Sequence, residues 1–361
     1  MAVTLTDRIL RSSAVAALTT PHGVDRYLKH INPMWAAHEV RARVVDIHRE
    51  VDIDGEPRVV TVTLQPTSTW AGHRAGQHVR VGVEVDGTRR TTRVFTISSQ
   101  DSKPGERFTL TLRANPDRVP SVSSFFAYEA KPGQMVELSQ AEGDFVLPDH
   151  MPEHVVFITG GSGITPAMSM LRSLQRRTHR GRITFVHYAR SPQHQIFASE
   201  LEQIQHSGNG IDVHLLYPEQ GDPNLSPAYL AKLLGNYRNV ETWACGPEPL
   251  IEAVNAAYDG SDKLHIEYFQ PPKSTGVAGG QISYARSGKE SANSGETVLQ
   301  QAEAAGLTPE FGCRMGICFS CTATKKSGLV RNVLTGETSE LPDEDIRICV
   351  SAPEGDCVVD L

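Results

Sequence analysis

Apolar and polar residues alternate along the chain with two different rhythms. Over residues 37–150 the runs VRARVVDIHREV, RVVTVTLQP, HVRVGVEVDG, RVFTISSQ, RFTLTLRAN and QMVELSQAEGDF keep a period near two. Turn pairs separate them: Asp54-Gly55, Asp86-Gly87, Pro104-Gly105 and Pro132-Gly133. Many short strands at regular spacing predict an antiparallel β-barrel. SVSSFFAYEA, at 121–130, is the one helix predicted in this stretch.

From residue 151 to 269 the rhythm changes. Short buried strands (HVVFITG, RITFVHYAR, DVHLLYP, NVETWACG) alternate with helical patterns (TPAMSMLRSLQRR, SELEQIQ, SPAYLAKLLG, PLIEAVNAAYD). That order predicts an α/β unit with a parallel sheet covered on both faces. Residues 270–280, QPPKSTGVAGG, read as a flexible linker. Residues 281–361 read as a third, α+β unit: a hairpin, the helix TVLQQAEAAG, a cysteine loop, and a closing strand pair around RICV and CVVDL. Residues 1–36 form an N-terminal extension whose segment 25–35 reads as a capping helix, with contact to a membrane surface as the alternative.

With 361 residues, two or three domains are expected, each able to bury its own core. The net charge of −7 argues against nucleic acid as a partner. Residues 281–361 hold seven Lys/Arg against twelve Asp/Glu, so much of the negative charge gathers there. It is either a solvated face or an acidic docking surface. The chain has no apolar run of membrane-spanning length and no secretion signal. A cytoplasmic monomer is expected, with peripheral association at the inner face of the membrane as an option.

Five of the six cysteines fall in the last 50 residues. Cys313, Cys318 and Cys321 follow the spacing C-x4-C-x2-C, and Cys349 follows after 27 intervening residues. Four thiolates so placed, one close loop and one distant cysteine, are the plant-type [2Fe–2S] pattern. A zinc ribbon would need two C-x2-C pairs, and only one is present. Gly312 and Gly316 let the backbone wrap closely around a cluster. Cys357 stands outside the motif and is expected to be a buried strand cysteine.

In FITGGSGITPAMSML a strand runs through Gly160, Gly161, Ser162 and Gly163 into a helix bearing Thr165. Such a turn brings backbone amides and a helix N-terminus to a pyrophosphate. The loop Cys245-Gly246-Pro247 follows a second buried strand, where ligands of parallel sheets sit. Arg190 and Ser191, ending the next strand, suit a 2′-phosphate and so NADPH, with NADH the alternative.

Together these loops resemble the nicotinamide domain of the ferredoxin–NADP reductase superfamily, and the last unit resembles plant-type ferredoxins, which implies a β-grasp fold there. Arg93-Val94-Phe95-Thr96 resembles the superfamily's flavin signature, with Phe95 in place of its tyrosine. The resemblance implies that Arg93 pairs with a flavin phosphate, Phe95 stacks on the ring and Thr96 lies near the reacting nitrogen. It also implies that Ser123 and Ser124 hold the flavin pyrophosphate, although the usual glycine of that loop is missing here. The end of the module, residues 267–269, lies near the flavin in relatives, which brings in Phe269. Thr96 and Cys245 are then the catalytic candidates.

The implied protein is a reductase in which FAD (FMN is the alternative) takes hydride from NADPH and sends single electrons to the cluster, which reduces a separate protein. It is similar to reductases that serve acyl-CoA desaturases, phenylacetyl-CoA oxygenase and ketosteroid hydroxylases. The expected partner is a terminal oxygenase or a membrane-bound acyl-CoA (stearoyl-CoA) desaturase. Rival readings are an aromatic-ring or steroid hydroxylase reductase and, in another class, a redox sensor without turnover.

Overall fold

Ahead of the barrel, Asp25 in helix α1 (Val24–Ile31) is a buried carboxylate with three backbone donors. The N–H groups of Ala37, His38 and Glu39 reach it at 2.5, 2.9 and 3.2 Å. A charge taken out of water needs such partners, and these tie α1 to the chain entering the first strand. The computed structural model describes residues 12, 15, 19, 23–85, 89–114, 121–269, 276–311, 316 and 319–361. It divides into two compact units, Met1–Glu267 and Tyr268–Leu361.

In the first unit, β1 (Val40–Ile53) and β2 (Glu56–Pro66) form a long antiparallel hairpin. Asp54 and Gly55 turn it with φ of 56° and 81°, the left-handed pair that matches strand twist. β3 (His78–Val85), β4 (Arg89–Thr96), β5 (Phe108–Arg113) and β6 (Met135–Leu138) complete a six-stranded sheet in the order β4-β3-β6-β1-β2-β5. A bridge between Ile97 and Leu110 brings its two edges together into a near-closed barrel. Inward residues of the alternating strands, among them Val62, Leu64, Val79, Val81 and Leu110, fill it around Trp70 and Phe108. The helix expected at 121–130 forms in two parts. The α-helical α2 (Val122–Ser124) widens at once into a π-type turn, Phe125–Glu129, closed by Ala130 N–H on the Phe125 carbonyl.

The parallel sheet follows as β7 (His154–Gly160), α3 (Ile164–Arg176), β8 (Arg182–Tyr188), α4 (Ala198–His206), β9 (Ile211–Leu216), α5 (Pro227–Leu234), β10 (Glu241–Gly246), α6 (Glu248–Ala257) and β11 (Leu264–Tyr268). Its order is β11-β10-β7-β8-β9, with β10, β7, β8 and β9 parallel. α3 packs the barrel against this sheet. The Ser169 hydroxyl donates to Ser99 O at 2.5 Å, Arg172 donates to Ser98 O at 2.6 Å, and Asp101 receives Arg176 and Arg177, each at 2.9 Å.

In the second unit, β12 (Gln281–Tyr284) and β13 (Lys289–Ala292) make the expected hairpin. α7 (Val298–Ala304) starts with a capping box between Thr297 and Gln300. β14 (Thr322–Asn332), β15 (Thr338–Ser339), β16 (Glu344–Arg347) and β17 (Ser351–Val359) complete a mixed sheet. The closing strands differ from expectation. β16 and β17 do not pair with each other; both pair with β14. β16 also stops at Arg347, before Cys349. The predicted linker changes too. Residues 270–275 lie outside the described residues, but 276–280 dock onto the second unit, held by the Asn293 amide on Val277 O and Gly279 O. Gly276 lies too close to Gly295 for any side chain. Among the described residues no helix is long and apolar enough to cross a membrane.

Burial alone would raise Asp101, but the Ser173 hydroxyl and the Arg177 and Arg176 guanidiniums overcome it and hold the carboxyl at about 2. A depressed carboxyl stabilises the fold above its unfolded value near 3.8, and that contribution fades as pH falls through about 2. Asp101→Asn should therefore lower the melting temperature by about 2–4 °C at pH 7, following the loss of about 1 kcal/mol. The gap to the parent should close as pH drops from about 4 to about 2 in a thermal-shift series.

Candidate functional site

At the end of β4 the side chains of the Arg93–Thr96 stretch divide their work. Phe95 packs one face on the barrel core, and the Arg93 guanidinium carbon lies 5.6 Å from its ring centre. Thr96 is buried. In the turn that opens α2, the Ser121 hydroxyl accepts the Ser124 N–H at 3.1 Å and lies 2.8 Å from the Ser124 hydroxyl. Ser123 is buried and its hydroxyl has no hydrogen-bond partner. An orphaned buried hydroxyl costs about 1–3 kcal/mol, so it suits a ligand oxygen. Arg93, Phe95, Ser123 and Ser124 thus fit a group that is both aromatic and phosphorylated. Pro120 and its neighbours at 115–119 lie outside the described residues.

Backbone contact brings together the two loops at the carboxyl end of the parallel sheet. A Cβ at Gly163 would stand 2.3 Å from the Cys245 carbonyl oxygen, and one at Gly246 would stand 3.0 Å from Gly160 N. Gly161 adopts φ +54°, and nothing lies within 4 Å of where its Cβ would be. The space on its Cα side is therefore empty among the described residues, with Ser162 beside it and Pro247 capping α6. Thr165 is placed differently from expectation. Its hydroxyl donates to Ser162 O at 3.1 Å, so it braces the turn rather than reaching outward.

Cys245 is 1% exposed. Burial, with Glu267 nearby, raises its thiol well above the ordinary value, so it is a neutral thiol and not a nucleophile. Glu267, on β11 beside β10, is a residue that the sequence reading did not assign to the site. It is 6% exposed, hydrogen-bonds Thr96, and leaves its second oxygen unpartnered. Burial pushes its carboxyl up to about 8, with the Thr96 hydrogen bond pulling the other way. Thr96 from the barrel, Cys245 from β10 and Glu267 from β11 are therefore buried neighbours, and burial disfavours charge on both the thiol and the carboxyl. The signal was present in LHIEYF, where one acid interrupts an apolar strand. Phe269 falls in the second unit.

At the end of β8 the Arg190 guanidinium lies exposed, 3.8 Å from Glu219. The Ser191 hydroxyl is 2.8 Å from His194 Nδ1. The Tyr188 hydroxyl is buried without a partner, and burial raises it further above its ordinary value.

In the second unit Cys321 and Cys349 are buried and unbridged, with sulfurs 3.1 Å apart. Two thiol sulfurs meeting inside a protein are a donor set for a metal, and they fit the last two positions of the predicted iron–sulfur motif. Cys313, Cys318 and Gly312 lie outside the described residues. Cys357 is buried in β17, as expected, and burial lifts its thiol to about 11.

Residues 157–256 match the oxidoreductase NAD-binding domain family, and residues 285–354 match the 2Fe-2S iron-sulfur cluster binding domain family. A protein of Mycobacterium tuberculosis called NADPH oxidoreductase is 35% identical over 356 residues, covering 96% of this chain and 90% of that one. The glycine betaine monooxygenase reductase subunit of Pseudomonas aeruginosa is 29% identical, covering 80% of this chain and 87% of its own. Among solved structures, phthalate dioxygenase reductase shares the fold at 20% identity with a TM-score of 0.58, covering 89% of this chain and 97% of that one.

A raised carboxyl has the opposite linkage from Asp101. Between pH 4.5 and about 8 folded Glu267 keeps a proton that the unfolded chain has released, so stability falls as pH rises through that window. The slope is at most about 1.4 kcal/mol per pH unit. Glu267→Gln should flatten it, and thermal unfolding of both proteins at pH 5, 6, 7 and 8 checks this.

Proposed function

The chain belongs to the ferredoxin–NADP reductase superfamily, in the branch that carries a C-terminal 2Fe–2S domain, and from that premise we propose that it is an NADPH-dependent flavoprotein reductase delivering electrons to a terminal oxygenase. The observation that carries this reading is the meeting of Thr96, Cys245 and Glu267 beside the open Gly161 turn. Hydride transfer needs a reacting face free of water and of competing charge, and these side chains supply both conditions. Glu267 keeps its proton at neutral pH, so no buried anion opposes an approaching hydride. The bound flavin would supply the conversion of a two-electron donor into single electrons, and the cluster a one-electron exit.

The remaining residues bind and orient. Gly160, Gly161, Ser162 and Gly163 present amides to a nucleotide pyrophosphate, and Gly246 and Pro247 form the facing wall. Arg93 offers a permanent cation to a flavin phosphate, while Phe95 offers its free face to the ring. FAD is our reading over FMN, because the buried Ser123 hydroxyl gives a further phosphate oxygen a donor beyond Arg93. Arg190 and Ser191 would take the 2′-phosphate of NADPH; the Arg190 guanidinium is exposed, with the exposed Glu219 carboxylate 3.8 Å away. Cys313, Cys318, Cys321 and Cys349 would hold the cluster.

For the acceptor, our first reading is an acyl-CoA desaturase at the membrane, on the resemblance to reductases of that kind. The second is an aromatic-ring or steroid hydroxylase. It is favoured by relatives whose names refer to a phenoxybenzoate dioxygenase and a 3-ketosteroid monooxygenase. A coupled assay with each candidate separates them: product should form with one acceptor and NADPH only when this protein is present.

Cys321→Ser should lose cluster absorbance and cytochrome c reduction by more than tenfold while keeping flavin and ferricyanide reduction. Full cytochrome c activity in that variant would remove the cluster as the exit. Arg190→Ala should raise KM for NADPH several-fold with little change for NADH. An unchanged KM ratio would remove Arg190 from cofactor selection.

A further inference from the structure

Arg347 ends β16, and the backbone around it is held firmly. It stands opposite Thr322 in the β14–β16 pairing. Its carbonyl accepts Val350 N–H at 3.0 Å, and the next residue, Ile348, donates to Cys321 O at 3.1 Å. From this anchored position the guanidinium reaches the cysteine loop at two points. It donates to the Gly316 carbonyl, and it lies 4.8 Å from the centre of the Phe319 ring. Gly316 and Phe319 flank Cys318 in the sequence.

Both contact points are tightly specified. Gly316 has φ +74°, and a Cβ there would stand 2.8 Å from a Val350 methyl. Phe319 has φ +54°, which costs a non-glycine residue about 1–2 kcal/mol. Its carbonyl accepts the Thr322 N–H at 3.1 Å and the Thr322 hydroxyl at 2.7 Å. Backbone strain of this kind persists where neighbours over-determine it. Among the described residues no carboxylate pairs with Arg347, so its charge is not spent on an ion pair.

We propose that Arg347 is a positioning residue for the iron–sulfur site, tying Gly316 and Phe319 to the end of β16 and favouring the reduced cluster through its fixed positive charge. The inference rests on reading that loop as a [2Fe–2S] site. A cluster bound by four thiolates is an anion that gains one more negative charge on reduction, so a nearby permanent cation raises its potential. Arginine suits both tasks, since its planar fork can donate and stack at once and it does not lose its charge.

The test uses the full chain as purified. Iron content, a redox titration followed by visible circular dichroism, and the rate of iron loss to a chelator are measured for the parent, Arg347→Gln and Arg347→Lys. Arg347→Gln should lower the midpoint potential and lose iron several-fold faster. Arg347→Lys should restore most of the potential, because the charge returns, but still lose iron faster than the parent, because the fork and stack do not. A Gln variant with the parent's potential and iron-loss rate would overturn the proposal. If the Gln variant does not fold, a Lys variant with the parent's iron-loss rate overturns it alone. A parent without about two irons per chain would instead overturn the cluster reading itself.

Discussion

The close approach of two glycine-bearing turns is the constraint on which the nucleotide half depends. Gly163 lies so near the Cys245 carbonyl that a single methyl group would collide with backbone. That contact sets the spacing of β7 and β10 at their carboxyl ends. It leaves the Gly161 edge open and presses Cys245 into the interior. With Cys245 placed, β11 is the next strand, and Glu267 arrives beside it. The chemistry of the pocket follows from backbone packing before any side chain is considered.

Electrostatics then separates two kinds of carboxylate in one unit. Asp101 sits among Ser173, Arg176 and Arg177 and is held ionised, fastening the barrel to α3. Glu267 has only a hydroxyl for company and is held protonated. The first arrangement gives strength to a joint, and the second keeps a reaction site neutral. His187, fully buried under the same sheet against Thr159, is likewise kept neutral by desolvation, near 3. Charge is thus kept at the joint and the surface and withheld from the place where hydride would pass.

The second unit solves a different problem. Two sulfurs must be brought together from distant parts of the chain, and the mixed sheet does this by pairing both β16 and β17 with β14. Cys321 enters β14 while Cys349 sits in the turn between β16 and β17, so one central strand registers both ligands. Residues 276–280 are held within this unit by the Asn293 amide and by the close approach of Gly276 to Gly295.

Much of this was legible in the chain. Period-two runs with Asp-Gly and Pro-Gly turns specify antiparallel strands, and alternating apolar runs and amphipathic helices specify the parallel sheet, because side-chain period follows backbone geometry. The cysteine spacing specifies its own chemistry, since a tight loop has few ways to converge thiolates. What only the tertiary structure decided is which residues meet across long separations. The resemblance placed the end of the module near the flavin, but only the fold shows Glu267 buried, with Thr96, 171 positions earlier, as its neighbour. Arg347 reads as a surface cation until the sheet aims it at Gly316 and Phe319. Local pattern encodes local geometry; desolvation and long-range contact belong to the folded chain alone.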